Sequence, residues 1–151
     1  MRKLALSLFI PLALAVQPAL AACNVLGSNL SFGPYDPLSS AGSAVSGTIT
    51  VACDQSPAPT VTIMIGPSAG SGSMVPRRMQ QVGGSDVLVY NLYVNAQNSV
   101  VWGDGSGGTG TVSNRVQKNR PWTATIYGRV PGSQDVAVGS YADAIGITIN
   151  F

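Results

Sequence analysis

Gly139-Ser140-Tyr141-Ala142-Asp143-Ala144-Ile145-Gly146-Ile147-Thr148-Ile149-Asn150-Phe151 is the stretch on which the reading of this chain turns. Over its last seven residues Ile145, Ile147, Ile149 and Phe151 alternate with Gly146, Thr148 and Asn150. That period of two, rich in β-branched residues, predicts a half-buried strand. The sequence stops there, so the strand poses a question of what pairs with its second edge and covers the apolar residues beside it.

Working back from this strand, the same pattern recurs. Strands are expected over Asn24 to Phe32 (broken at Gly27), Gly47 to Cys53, Thr60 to Gly66, Pro76 to Val82 and Val87 to Val94. Shorter ones are expected at Val100 to Trp102 and Thr111 to Val116, and a longer one at Trp122 to Val130. Between them run segments rich in Gly, Ser, Pro and Asp, including Gly33-Pro34-Tyr35-Asp36-Pro37, the loop Leu38 to Ser46 and Gly103 to Gly110. Pro lacks the amide a ladder needs, and Gly, Asp and Ser supply turn conformations. Short alternating strands with no helical periodicity predict an all-β antiparallel sandwich in one domain.

At the other end, Met1-Arg2-Lys3, an apolar run from Leu4 to Val16 and the small residues around Ala19-Leu20-Ala21-Ala22 describe a secretory signal peptide over residues 1–21. The domain is then residues 22–151, exported and without a membrane span. Two of the eight basic residues, Arg2 and Lys3, belong to that leader; the remaining six face six Asp, and the mature chain is close to neutral. A near-neutral chain with scattered cations does not suggest a nucleic-acid partner.

Cys23 and Cys53 are the chain's two cysteines. In an exported protein an even pair reads as one disulfide. Leu20-Ala21-Ala22-Cys23 also resembles a lipobox, whose cysteine would be lipidated, but that would leave Cys53 alone in an oxidising compartment.

Chemistry is scarce. Gly66-Pro67-Ser68-Ala69-Gly70 matches the Gly-x-Ser-x-Gly pattern of a nucleophile elbow, which needs a helix after the serine and a histidine base. Here Ser71-Gly72-Ser73 follows, and the chain contains no His. Gly103 to Gly110 lacks the Gly-Lys-Ser/Thr of a phosphate loop and has only Asp104 toward a calcium loop. The six Asp stand apart in expected turns, where they bond to backbone. No catalytic residue, metal ligand or cofactor is assigned, and a secreted hydrolase is the less favoured alternative because the chain holds no His and no Glu. Tyr90, Tyr93, Trp102, Trp122 and Tyr127 are read as core or cross-strand packing, and Arg77-Arg78 as a solvated edge that discourages sheet-to-sheet pairing.

Taken together, an ordered set of pieces resembles the spore coat protein U domain family, the subunits of archaic chaperone-usher pili. The set is Cys23; Phe32-Gly33-x-Tyr35-Asp36-Pro37; Gly47 to Cys53; Arg78-Met79; Leu88-x-Tyr90-Asn91-Leu92-Tyr93; Trp102-Gly103-Asp104-Gly105; Tyr127-Gly128-Arg129-Val130-Pro131; and Gly139-Ser140-Tyr141-x-Asp143. The resemblance implies an immunoglobulin-like sandwich lacking its last strand. It also implies partners: a periplasmic chaperone that lends a strand, an outer-membrane usher, and a neighbouring pilin that replaces the chaperone's strand. The route is through the periplasm to the cell surface, as a pilus, or into the medium. Adhesion and biofilm formation are the roles such fimbriae serve. Phe32, Ile145, Ile147, Ile149 and Phe151 are then expected to line a strand-acceptor groove. Polymerising members carry an alternating donor segment before their first Cys, whereas cleavage here leaves at most Ala22. The expected position is therefore a fibre tip or cap, and the other reading within the family is a coat protein of a spore or cell envelope outside any fibre.

Overall fold

A computed structural model describes residues 22–151, and the signal-peptide expectation over residues 1–21 lies outside them. Nine strands are described: β1 (Cys23–Asn29), β2 (Ser43–Cys53), β3 (Thr60–Ser68), β4 (Arg77–Gln81), β5 (Val87–Tyr93), β6 (Val112–Arg115), β7 (Trp122–Val130), β8 (Tyr141–Ala142) and β9 (Ile145–Asn150). They form a six-stranded sheet in the order β1-β2-β7-β5-β4-β8 and a three-stranded sheet β6-β3-β9, with antiparallel pairing throughout. The fold is the all-β antiparallel sandwich expected, and no helix is described.

Alternation decides which side chains meet between the sheets. Ile49 and Val51 of β2, Val61, Ile63 and Ile65 of β3, Leu88, Tyr90 and Leu92 of β5, and Ala124 and Ile126 of β7 form one buried cluster with Trp102 and Val116. The indole N–H of Trp102 donates to the carbonyl of Ile63 at 3.0 Å, so its one polar atom is satisfied inside the core. Cys23 and Cys53 face each other in the β1–β2 register and are joined by a disulfide, which takes up both cysteines.

Several expected boundaries move. β2 begins at Ser43, earlier than Gly47, because the Ser/Gly-rich segment pairs with β7 from Val130 onward. β1 ends at Asn29, and Leu30 to Phe32 leave the ladder to pack on the core. Val100 to Trp102 is not a strand but two isolated bridges, Tyr93 with Val101 and Trp102 with Gly110.

Arg77 requires a correction. Its side chain is fully buried, while Arg78 alone faces solvent. On β4 Arg77 and Met79 share the inward face, so a pair read as a solvated edge is split by the strand's own period. The Arg77 guanidinium donates to Ile65 O (3.0 Å), Gly66 O (2.8 and 3.2 Å), Trp102 O (2.9 Å) and Asn91 Oδ1 (2.9 Å). It thus pins the six-stranded sheet to β3 of the other one.

Candidate functional site

β9 pairs with β3 along one edge only: Ile149 lies opposite Ile63, and Ile147 opposite Ile65. Its other edge has no strand partner among the described residues. Beside that edge opens a groove of about 770 Å³ between the two sheets. Ile145 and Ile147 form one wall, Leu30 and Phe32 the opposite one, and Met79, Leu88, Tyr90, Leu92 and Ile126 the floor.

The wall opposite β9 exists because the chain leaves the ladder after Asn29. The Phe32 ring sits on Gly128, where an added Cβ would come within 2.8 Å of it, and meets the ring of Tyr90 edge-on at 5.5 Å between centroids. A side chain at residue 128 would have to displace the Phe32 ring. Next to it, the Tyr35 hydroxyl donates to Pro131 O at 2.9 Å and accepts from Gln134 N at 3.0 Å. The Gln134 amide takes a strand's place beside Val89, accepting from its N–H (2.8 Å) and donating to its carbonyl (2.9 Å).

Polar groups gather at the end of the groove where β9 begins. The Tyr90 hydroxyl donates to Asp143 Oδ2 at 2.5 Å, and Asp143 Oδ1 accepts from Ala144 N at 2.8 Å. Burial, then the bond to Asp143, push the Tyr90 phenol far above its ordinary pKa. Desolvation lowers the pKa of the buried Arg77, opposed by the charges of Tyr90 and Asp143. Tyr141 also lines this end, its hydroxyl donating to Ala137 O at 2.7 Å.

The residues singled out from the sequence divide into four groups. Phe32, Ile145 and Ile147 line the groove, as do Tyr35, Tyr90 and Tyr141. Ile149 shares the inner face of β9 but lies outside the groove's lining, and Phe151, just past β9, is 55% exposed. The groove therefore extends from Ile147 toward Tyr141, away from Phe151. Trp102 is core, whereas Tyr93 and Tyr127 are a directly opposed cross-strand pair. Arg78 points outward; Asp36 and Asp104 cap turns at Leu38 N (2.9 Å) and Ser106 N (2.8 Å). Arg77, Asn91 and Gln134 were not singled out as site residues, because a buried polar role leaves no mark in a pattern of alternating hydrophobicity.

Ser68, the serine of the Gly-x-Ser-x-Gly match, is buried near the end of β3, and its hydroxyl donates to Arg78 O at 2.9 Å. Among the described residues no three His, Cys, Asp or Glu come together as a metal site. No helix among them is long and apolar enough to cross a membrane.

Comparison with known proteins bears on the family and the fold. The family model of the Spore Coat Protein U domain matches residues 11–148. "Protein U" of Myxococcus xanthus is 36% identical over 133 residues, which is 83% of this chain and 73% of that protein. A chain in the crystal structure of the CsuC-CsuE chaperone-tip adhesion subunit pre-assembly complex, from the archaic chaperone-usher Csu pili of Acinetobacter baumannii, superposes with a TM-score of 0.61 at 16% identity. The superposition covers 87% of this chain but 40% of that one, and at such low identity it speaks for the fold alone. With nearly its whole length matched by the family model, the chain belongs to the Spore Coat Protein U domain family.

Proposed function

We propose that this protein is an exported structural subunit of a surface fibre and that its groove receives a β-strand from another chain, first a periplasmic chaperone and then a neighbouring subunit. One observation carries the reading. Val61, Ile63 and Ile65 on β3 are at most 1% exposed, while Ile145, Ile147 and Ile149 on the adjoining β9 are only half-buried beside an unpaired edge. An added strand would satisfy that edge with main-chain hydrogen bonds and fill the groove with alternate side chains. Covering the rest of the three isoleucines would contribute about 1 kcal/mol each.

Family membership supports the fibre reading, as does a fold shared with a chain of the CsuC-CsuE chaperone-tip adhesion subunit complex. A place at the end of a fibre, tip or cap, is the finer form of the proposal. A second reading, a coat protein of a spore or cell envelope, is favoured by the family's description and by the 36% identity to Protein U.

Co-expression with the cognate periplasmic chaperone separates the two. A stable one-to-one complex that Ile147→Asp abolishes is expected for a strand acceptor. A protein that is monodisperse alone, captures no chaperone and accumulates normally as Ile147→Asp would overturn the acceptor reading and favour the coat.

A further inference from the structure

Carboxylates gather at one end of the groove. At the Tyr141–Ile145 end, Asp143 lines the opening, Asp36 sits between the lining residues Tyr35 and Pro37, and Asp135 precedes the lining residue Val136. Asp86 joins them by accepting a hydrogen bond from the backbone of Ala137, also a lining residue, at 2.6 Å. Among the described residues no Lys or Arg lines the groove. The nearest guanidinium, Arg77, is enclosed behind Tyr90 and bonded to carbonyls and Asn91. Among the described residues, none of the four carboxylates takes a hydrogen bond from a cation. Asp36, Asp86 and Asp143 accept from backbone amides, and Asp143 also from Tyr90.

The far end is different. Thr62 of β3 pairs with Asn150 of β9 on one side, and Thr60, two residues earlier, pairs with Arg115 of β6 on the other. Arg115 is therefore separated from β9 by the width of β3, and Lys118 and Arg120 follow it in the exposed turn before β7. These cations stand outside the groove's lining, so the charge beside the slot is acidic.

Four carboxylates on loops would by themselves be solvated turn residues. Here an apolar slot opens beside them: Asp143 lines it, and the other three are next to or bonded to lining residues, so a chain leaving the slot at this mouth passes Asp143 and the loops that carry the rest. From this we infer that the strand accepted by the groove is basic where it crosses the Tyr141–Ile145 mouth, and that this charge sets the end at which it enters and how fast. This rests on the strand-acceptor reading above and adds the partner's chemistry to it. Like-charged approach is disfavoured, and opposite charge raises the rate of encounter within about a Debye length, ~10 Å at 0.1 M salt.

The test uses the mature, oxidised protein and short fluorescent peptides of alternating Val and Thr. One set carries Lys-Lys at a terminus and the other Glu-Glu, each made with the charge at the N- or the C-terminus to cover both strand directions. Association is followed by fluorescence anisotropy. A Lys-tailed peptide is expected to bind about tenfold faster than its Glu-tailed counterpart at low salt, with the gap closing at high salt. Asp86→Asn with Asp135→Asn should remove much of the gap, and Asn at residue 86 keeps an acceptor for the Ala137 amide. Equal rates for both tails at low salt, or a gap unmoved by the double variant, would overturn the inference while leaving the acceptor reading intact. Failure of every peptide to bind a protein that circular dichroism shows to be folded would overturn the acceptor reading itself.

Discussion

β3 and β9 lie side by side, alternate in the same way and point the same residue type at the same space, yet their inner rows end in different states. Ile63 faces Ile149 and Ile65 faces Ile147 across the ladder. The β3 residues are sealed because β6 closes its other edge, Trp102 packs over it and Arg77 ties its end to the opposite sheet. The β9 residues have the groove on their other side. An inner row is thus completed or left open by what stands on the second edge of its strand. Half-burial on β9 is a property of position in the sheet rather than of composition.

Breaking each row in turn should give the largest contrast. Ile63→Asp places an unpaired carboxylate in a closed core and is expected to cost more than ~4 kcal/mol, enough to unfold a domain of ordinary stability. Ile147→Asp, beside an open groove, should cost under ~2 kcal/mol in the isolated chain, because its carboxylate can reach water. Urea denaturation of the two variants checks this, and equal losses would show that the β9 row is as closed as that of β3.

Next in size is the pin that closes the β3 side. Arg77→Ala strips three carbonyls and Asn91 of their donor and should cost about 3–5 kcal/mol. Arg78→Ala, one residue on and facing solvent, should stay within ~0.5 kcal/mol. Matched thermal melts of both variants would also show whether adjacent arginines differ as their burial requires.

Replacing Cys23 and Cys53 by Ser opens the loop that anchors β1 to β2 and should cost about 2–4 kcal/mol. If β1 then frays, Leu30 and Phe32 lose their anchorage and the groove widens. Hydrogen exchange is expected to rise in β1 and at Phe32 while β3 stays protected.

The smallest effect concerns the polar mouth. Folded Tyr90 titrates far above the phenol value of ~10, so its contribution is present in full below pH ~10. Above that pH the unfolded state ionises first, and stability falls as pH rises. Tyr90→Phe should lower stability at neutral pH by about 1 kcal/mol through the lost bond to Asp143 and flatten the alkaline decline. Denaturation midpoints for both proteins between neutral pH and pH ~11 would detect it.

The strands were legible where side chains alternate strictly, as in Ile49, Val51 and Cys53 or Ile145, Ile147 and Ile149, since period two is imposed by the pleat itself. They were less legible where composition argued for loop. Ser43 to Ser46 pairs because β7 lies beside it, and Val100 to Trp102 makes only bridges despite its apolar residues. In the site, Phe32, Ile145 and Ile147 could be named in advance because the resemblance points to them and apolarity marks them, whereas Ile149 and Phe151, named with them, lie outside the lining. Gln134, standing in for a strand at Val89, could not, because its role depends on an edge formed by residues 45 positions away.

The amino-acid sequence by itself determined an antiparallel β sandwich, a cysteine pair at the first two strands and a terminal strand with one apolar face, because each follows from local period, turn residues or pairing arithmetic. Only the tertiary structure decided that Arg77 is buried while Arg78 is not and that the groove runs toward Tyr141 and away from Phe151. It also decided that the aspartates gather at one mouth. Those are relations between residues far apart in the chain, fixed by which strands lie side by side, and a one-dimensional pattern does not carry them.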